Sequence, residues 1–255
     1  MDGHLSLVCA RVNERSALTT MGFDGLLRAS RALAERDGAV RVLASTLGPG
    51  MLAGDRATCD FEVGSGATLI VASQMATPIF AGSTVANGGS ASRSETSARI
   101  AAGGALYVLA EPLLLAARAC HETLLELDVA GDGFALLTEI VVLGGDARLS
   151  ARTSARIDGR LAVRDACDLE GDGTDRAILT AIVVTASAER RAALEAAFAR
   201  VLTSETIVRA GLGATGAAIV VRARARGAWA LQCLLERIAC VTRAAARDAR
   251  DTALV

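Results

Sequence analysis

The sequence predicts a mainly β chain built of repeated two-strand units, with two helices in its C-terminal part. Three observations carry this. First, residues 56–63 alternate with period two, Ala57, Cys59, Phe61 and Val63 on one face and Arg56, Thr58, Asp60 and Glu62 on the other, as a half-buried strand does. Second, the same phase returns at residues 94–101, 123–129 and 151–158, and each strand ends in a tight glycine turn before a second run. Third, two helical stripes of apolar residues lie near the end.

The turns are Gly64-Ser65-Gly66, Gly103-Gly104, Gly131-Asp132-Gly133 and Asp158-Gly159, and the runs after them are ATLIVAS, ALYVLAEPLLL, FALLTEIVVL and RLAVRDACDL. Glycine and Asp-Gly supply the positive φ that short connections between twisted strands require. The last three turns, at Gly103, Gly131 and Asp158, recur at about 27 or 28 residues. Periods of this size fit stacked layers. An antiparallel sandwich leaves the same marks. Farther on, Ser187 caps AERRAALEAAFARVL, in which Leu194, Ala197, Phe198, Val201 and Leu202 form one stripe. A second helix is predicted over about residues 228–246, with Leu231, Leu234, Leu235, Ile238 and Thr242 on one face.

With 255 residues the chain buries roughly 70 to 75% of its unfolded surface, enough for one large core. Its 27 basic and 28 acidic residues leave a net charge of -1, too little to steer it to nucleic acid or anionic lipid. Mean hydropathy is high at +0.39. No apolar run reaches the ~18 to 20 residues that span a bilayer, and the first residues carry no basic leader, so the expectation is a cytoplasmic protein away from membranes. The six cysteines form no CxxC pair, which removes the usual zinc and thioredoxin readings.

Residues 48–82, GPGMLAGDRATCDFEVGSGATLIVASQMATPIFAG, resemble the signature block of the urease accessory protein UreD (UreH) family. Gly54, Asp55, Gly66, Ala67, Gln74, Ala76 and Thr77 fall on that pattern, while Ser73 and Pro78 stand where the family has Thr and Lys. GGALYVLAEPLLL resembles a later segment with Glu111-Pro112 kept and Ala110 in place of a proline. FALLTEIVVLGG keeps Glu139 and Gly144 but has Gly145 for Arg, and Ser150-Ala151 replaces a Gly-Glu pair.

The resemblance implies one domain over residues 1–255: a β-helix-like stack of two-strand layers at about 40–185, then helix, hairpin and helix at about 186–255. It also implies an extended segment at 26–34, where propensity alone favours helix. Its functional implication is a non-enzymatic maturation chaperone that scaffolds nickel insertion into urease apoprotein with a UreF-like accessory protein and a UreG-like GTPase. Ni2+ would pass transiently, with no tightly bound cofactor. A β-solenoid interaction module without a nickel role is the alternative.

The residues exclude urease itself, whose binuclear centre needs several His and a carbamylated Lys; this chain has 2 His and no Lys. Glu139 sits in an apolar run, where a carboxylate must be paired, hydrated or facing a metal. It is a candidate for weak nickel transit. Asp55 is a second candidate, although an Asp after a glycine-rich turn more often caps backbone N–H groups. Cys120-His121-Glu122 is a local ligand group whose neighbours point to opposite faces of a strand. Gly211–Gly216 matches GxGxxG between two strand-like runs, so it reads as a hairpin turn and only as a distant third choice as a dinucleotide site. Asp168-x-Glu170-x-Asp172-Gly173 starts like a calcium loop but has Leu179 at its twelfth position.

Overall fold

Strand β6 (Arg56–Val63) buries Ala57, Phe61 and Val63, and runs parallel to the strands on either side of it. The computed structural model describes residues 1–82, 90–171, 177–204 and 209–252, with side chains to Ala245 in the last helix. Among the described residues the strands fall into two sheets.

The first sheet holds β1 (Asp2–Val12), β2 (Arg15–Gly25), β6, β9 (Ser92–Ile100), β12 (Cys120–Val129), β14 (Arg148–Ile157) and β15 (Arg160–Glu170), in the order β15-β14-β12-β9-β6-β1-β2. The second holds β3 (Leu27–Ala29), β4 (Leu33–Ala34), β5 (Val40–Thr46), β7 (Thr68–Ser73), β8 (Thr77–Ile79), β10 (Ala105–Leu109), β11 (Leu113–Leu115), β13 (Phe134–Leu143), β16 (Ala177–Thr185), β17 (Arg209–Ala214) and β18 (Ala218–Ala225). Its main path is β17-β18-β16-β13-β10-β7-β5-β3. Within residues 26–34, β3 and β4 are short strands and none of the segment is helical, against its propensity.

Chain order alternates between the sheets, from β6 to β7, from β9 to β10 and from β12 to β13, and within each sheet these strands pair in parallel. The first three glycine turns are therefore corners between sheets rather than hairpins. Gly66, Gly103 and Gly131 take φ of 65°, 70° and 53° there. Successive corners are tied together: Gly103 N donates to Asp132 Oδ1 at 2.7 Å and Gly131 N to Asp158 Oδ1 at 2.8 Å.

The fourth unit departs from the predicted repeat. Asp158-Gly159 is a hairpin turn, and β14 and β15 pair antiparallel in the same sheet. The physical reason lies in the runs themselves. β15 alternates, with Arg160, Arg164 and Asp168 exposed, which suits a sheet edge with one solvated face. β7 and β13 are apolar on both sides because a third layer covers the second sheet.

That layer is α1 (Ala188–Thr203) and α2 (Ala228–Thr252). Ser187 caps α1, accepting from Arg190 N at 3.1 Å. Leu194, Phe198, Leu231, Leu234 and Ile238 pack on Phe134, Leu136, Ile140 and Leu179 of the second sheet. Between the sheets lies a separate core that includes Leu69, Leu106, Leu127 and Ile100. Among the described residues, no helix is long and apolar enough to cross a membrane.

Candidate functional site: a cavity between the sheets

The intersheet space changes character along the strands. Towards the glycine corners its inward side chains are apolar: Val63, Ile100, Leu127 and Val129 with Leu69, Leu106 and Ala135. Towards the other end β9 and β12 present Ser94, Thr96 and Thr123, β14 and β15 add Thr153, Asp165 and Cys167, and the second sheet presents Ser73, Glu139 and Thr180. With apolar neighbours that include Leu5, Phe61, Val71, Leu137 and Ile182, these residues line a cavity of about 240 Å³. One water needs only ~10–15 Å³ on such a measure, so a file of waters or a hydrated ion fits.

The cavity lies where strands of the second sheet break. β7 gives way to β8 across Gln74–Ala76, and β10 to β11 across Ala110–Pro112, whereas β13 runs unbroken beside both β10 and β11. Pro112 has no N–H for a ladder. Thr138 patches the gap, its Oγ1 accepting from Ala110 N at 3.2 Å and donating to Val108 O at 3.0 Å. Glu139 is the next residue, opposite the break. The motif segments read from the sequence, SQMATP and AEP, are thus the breaks that make the cavity.

Glu139 borders the cavity and accepts a hydrogen bond from Thr123. Burial pushes its carboxyl up to about 7, and the Thr123 bond pulls the other way. Among the described residues its partner is this hydroxyl rather than an arginine. Two thiols share the lining. Burial drives Cys59 up to about 12, with Asp60 adding to the rise, and burial also raises Cys167. Both are held as thiols at neutral pH, so neither is a ready soft ligand.

Asp55 lies elsewhere. It is buried, its Oδ2 accepts from Leu52 N at 2.8 Å, its Oδ1 contacts the Met1 amino group, and it is not among the residues that line the cavity. Glu139 and Asp55 are therefore not brought together. Sequence reasoning missed Asp165, Cys167 and Arg222. Asp165 forms an ion pair with Arg222 of β18, joining one sheet to the other. The signal was available, since Asp165 and Cys167 share the inward phase of Val163 in β15.

Other sequence motifs resolve simply. His121 points inward and meets Ser92 Oγ at 2.8 Å, while Glu122 is exposed, so they cannot share a ligand. Burial lowers His121 to about 4. Gly211–Gly216 is the antiparallel β17–β18 hairpin. Asp168 and Glu170 pair with Arg152 and Arg148 on an exposed sheet face; Asp172 and Gly173 lie outside the described residues. Among the described residues no three His, Cys, Asp or Glu side chains are grouped to hold a metal ion. Of the departures from the family pattern, Ser73 and Ala151 line the cavity, Pro78 pairs with Leu114, and a side chain at Gly145 would meet open space.

A family model described as UreD urease accessory protein matches residues 1–253. The chain belongs to the UreD family. Relatives named urease accessory protein UreD include one from Rhodopseudomonas palustris (strain BisA53), 31% identical over 178 residues, covering 67% of this chain and 60% of the relative. Another, from Frankia casuarinae, is 37% identical over 121 residues, covering 47% of this chain and 36% of the relative. The chain thus matches about a third to three fifths of the length of these UreD relatives.

Proposed function

We propose that this chain is a non-enzymatic urease maturation chaperone in the cytoplasm, which scaffolds nickel insertion into urease apoprotein with UreF-like and UreG-like partners. Membership of the UreD family supports the urease part of this reading. The observation that carries the nickel part is Glu139, which faces the cavity at a break in the second sheet and shares its lining with the carboxylates of Glu95, Glu111 and Asp165. A delivery protein must not outbind its client. Oxygen ligands spread along the wall beside protonated thiols suit passage, whereas clustered His and thiolate would trap the ion. Asp55 is the lesser candidate, because its oxygens already brace the turn. The same reading takes the parallel strands that alternate between sheets as a β-helix-like stack.

The test is co-expression with urease and both partners. Glu139→Gln should lower nickel-dependent urease activation while the complex with the UreF-like partner persists. Normal activation by that variant rejects the path through Glu139. The alternative, an interaction module with no nickel role, draws on Leu52, Phe80 and Leu114, exposed apolar residues on neighbouring stretches. It predicts partner binding unaltered and activation unaltered.

A further inference from the structure

The cavity runs across the sheets to β15, the edge of the first, where Asp165 and Cys167 line it, and to β16 of the second, where Thr180 and Ile182 line it, with β18 next beyond. Along the second sheet, Glu139 pairs in register with Thr180, and Thr180 with Arg222. Arg222 therefore sits two strands from Glu139, about 10 Å along the same inward row. Asp165, on the opposite sheet, lines the cavity and takes the Arg222 guanidinium. Among the described residues this is the ion pair that joins the two sheets.

We propose that the Asp165–Arg222 pair is a latch that closes this edge of the cavity and yields to a divalent cation competing for Asp165. The inference rests on the reading of the cavity as an ion path and adds its regulation. Three features make the pair a closure that can open. Both side chains keep contact with solvent, 40% for Arg222 and 21% for Asp165. Arg222 Nε is buried without a hydrogen-bond partner, a cost that the closed state carries and an open state sheds. The pair also joins an edge strand to the facing sheet, where opening disturbs fewer neighbours than it would between central strands. While closed, the guanidinium opposes cations at this edge. Once a divalent ion takes Asp165, attraction across the gap is lost.

Cys167, two residues from Asp165 and on the cavity wall, reports opening without nickel or urease. Its alkylation by a maleimide, read by peptide mass spectrometry against exposed Cys240, is compared in the native chain, Arg222→Gln and Arg222→Lys. Opening should speed Cys167 in Arg222→Gln about fivefold, the factor for losing an ion pair at the upper end of the exposed range. Arg222→Lys should stay near native. Electrostatics alone gives the opposite sign, because the Arg222 charge draws the Cys167 thiol down and its loss disfavours the thiolate. Labelling that is unchanged or slower in Arg222→Gln overturns the latch. Should that variant fail to fold, salt decides on the native chain: raising NaCl from about 0.1 to 1 M shortens the screening length from about 10 to 3 Å and should speed Cys167 relative to Cys240. No acceleration overturns the latch there. Failure of the ion path itself shows separately, as normal urease activation by Glu139→Gln.

Discussion

Near the glycine corners, Ile100, Leu127 and Val129 meet Leu69, Leu106 and Ala135; farther along the same strands, Thr96, Thr123 and Thr153 meet Ser73, Glu139 and Thr180. Pairing register is continuous between the two ends in β9, β12 and β14, so the difference is not one of backbone. It arises from what occupies the inward positions and from the breaks in the second sheet. One ladder of strands thus supplies a packed core at one end and a cavity with polar groups in its wall at the other. The lesson is that a stack of strands can host a path without giving up its core, because Leu5, Phe61, Val71 and Leu137 belong to the core and also form part of the cavity wall.

The sharpest way to break this comparison is to cut each half. Leu127→Ala, in the apolar half, should cost about 2–5 kcal/mol, the transfer loss plus a cavity. Thr153→Val, on the cavity wall, should change stability by less than about 1 kcal/mol, since it leaves an existing space rather than opening one. Denaturant titration of both variants checks this. Equal losses would mean that the two halves are packed alike.

Much of this division was legible in the sequence. The alternation set Ala57, Cys59, Phe61 and Val63 on one face of β6, and the same phase carried on to β9, β12 and β14. Both helices and the Ser187 cap were legible because their stripes meet one continuous apolar face. Less legible was the destination of the second runs. A glycine turn that bends a hairpin and one that carries the chain to a facing sheet use the same residues, and only coverage by α1 and α2 separates them. The Asp165–Arg222 pair was out of reach for a different reason, since its partners are 57 residues apart and belong to different sheets.

A subtler expectation concerns a half-buried carboxyl, Glu139, and a buried imidazole, His121, at the cavity end. Glu139 titrates near 7 when folded, against 4.5 ordinarily, so between those values the unfolded chain sheds its proton first and stability falls as pH rises. His121 does the reverse. Held down to about 4 from 6.5, it leaves the unfolded chain binding the extra proton, so stability rises with pH across that window. The windows overlap and the two slopes offset in the native chain. Glu139→Gln should therefore uncover a rise in stability from about pH 4 to 6.5, and His121→Asn a fall from about pH 4.5 to 7. Each change should be about 1–2 kcal/mol, less than the Glu139 shift alone implies because the cavity leaves room for water beside its carboxyl. Denaturation midpoints measured over pH 4–8 read both slopes. Parallel curves for the native chain and both variants would place these groups in ordinary solvent contact.

The smallest effect is expected at the corners themselves, where Asp132 and Asp158 each accept the N–H of a glycine in the preceding corner. Asp132→Ala removes one exposed hydrogen bond and should cost about 1 kcal/mol. Asp158→Ala should cost more, because residue 158 holds φ at 49°, where an Ala Cβ is strained. Asp158→Gly loses the same hydrogen bond but accepts that φ, so it should fall back to about the cost at Asp132. The order Asp158→Ala above Asp132→Ala, with Asp158→Gly close to the latter, is read from thermal or denaturant midpoints. These ties serve the apolar end, so Cys167 labelling at the polar end should stay at the native rate in all three. A corner variant that sped Cys167 would show that the two ends open together, and the separation between core and cavity would be lost.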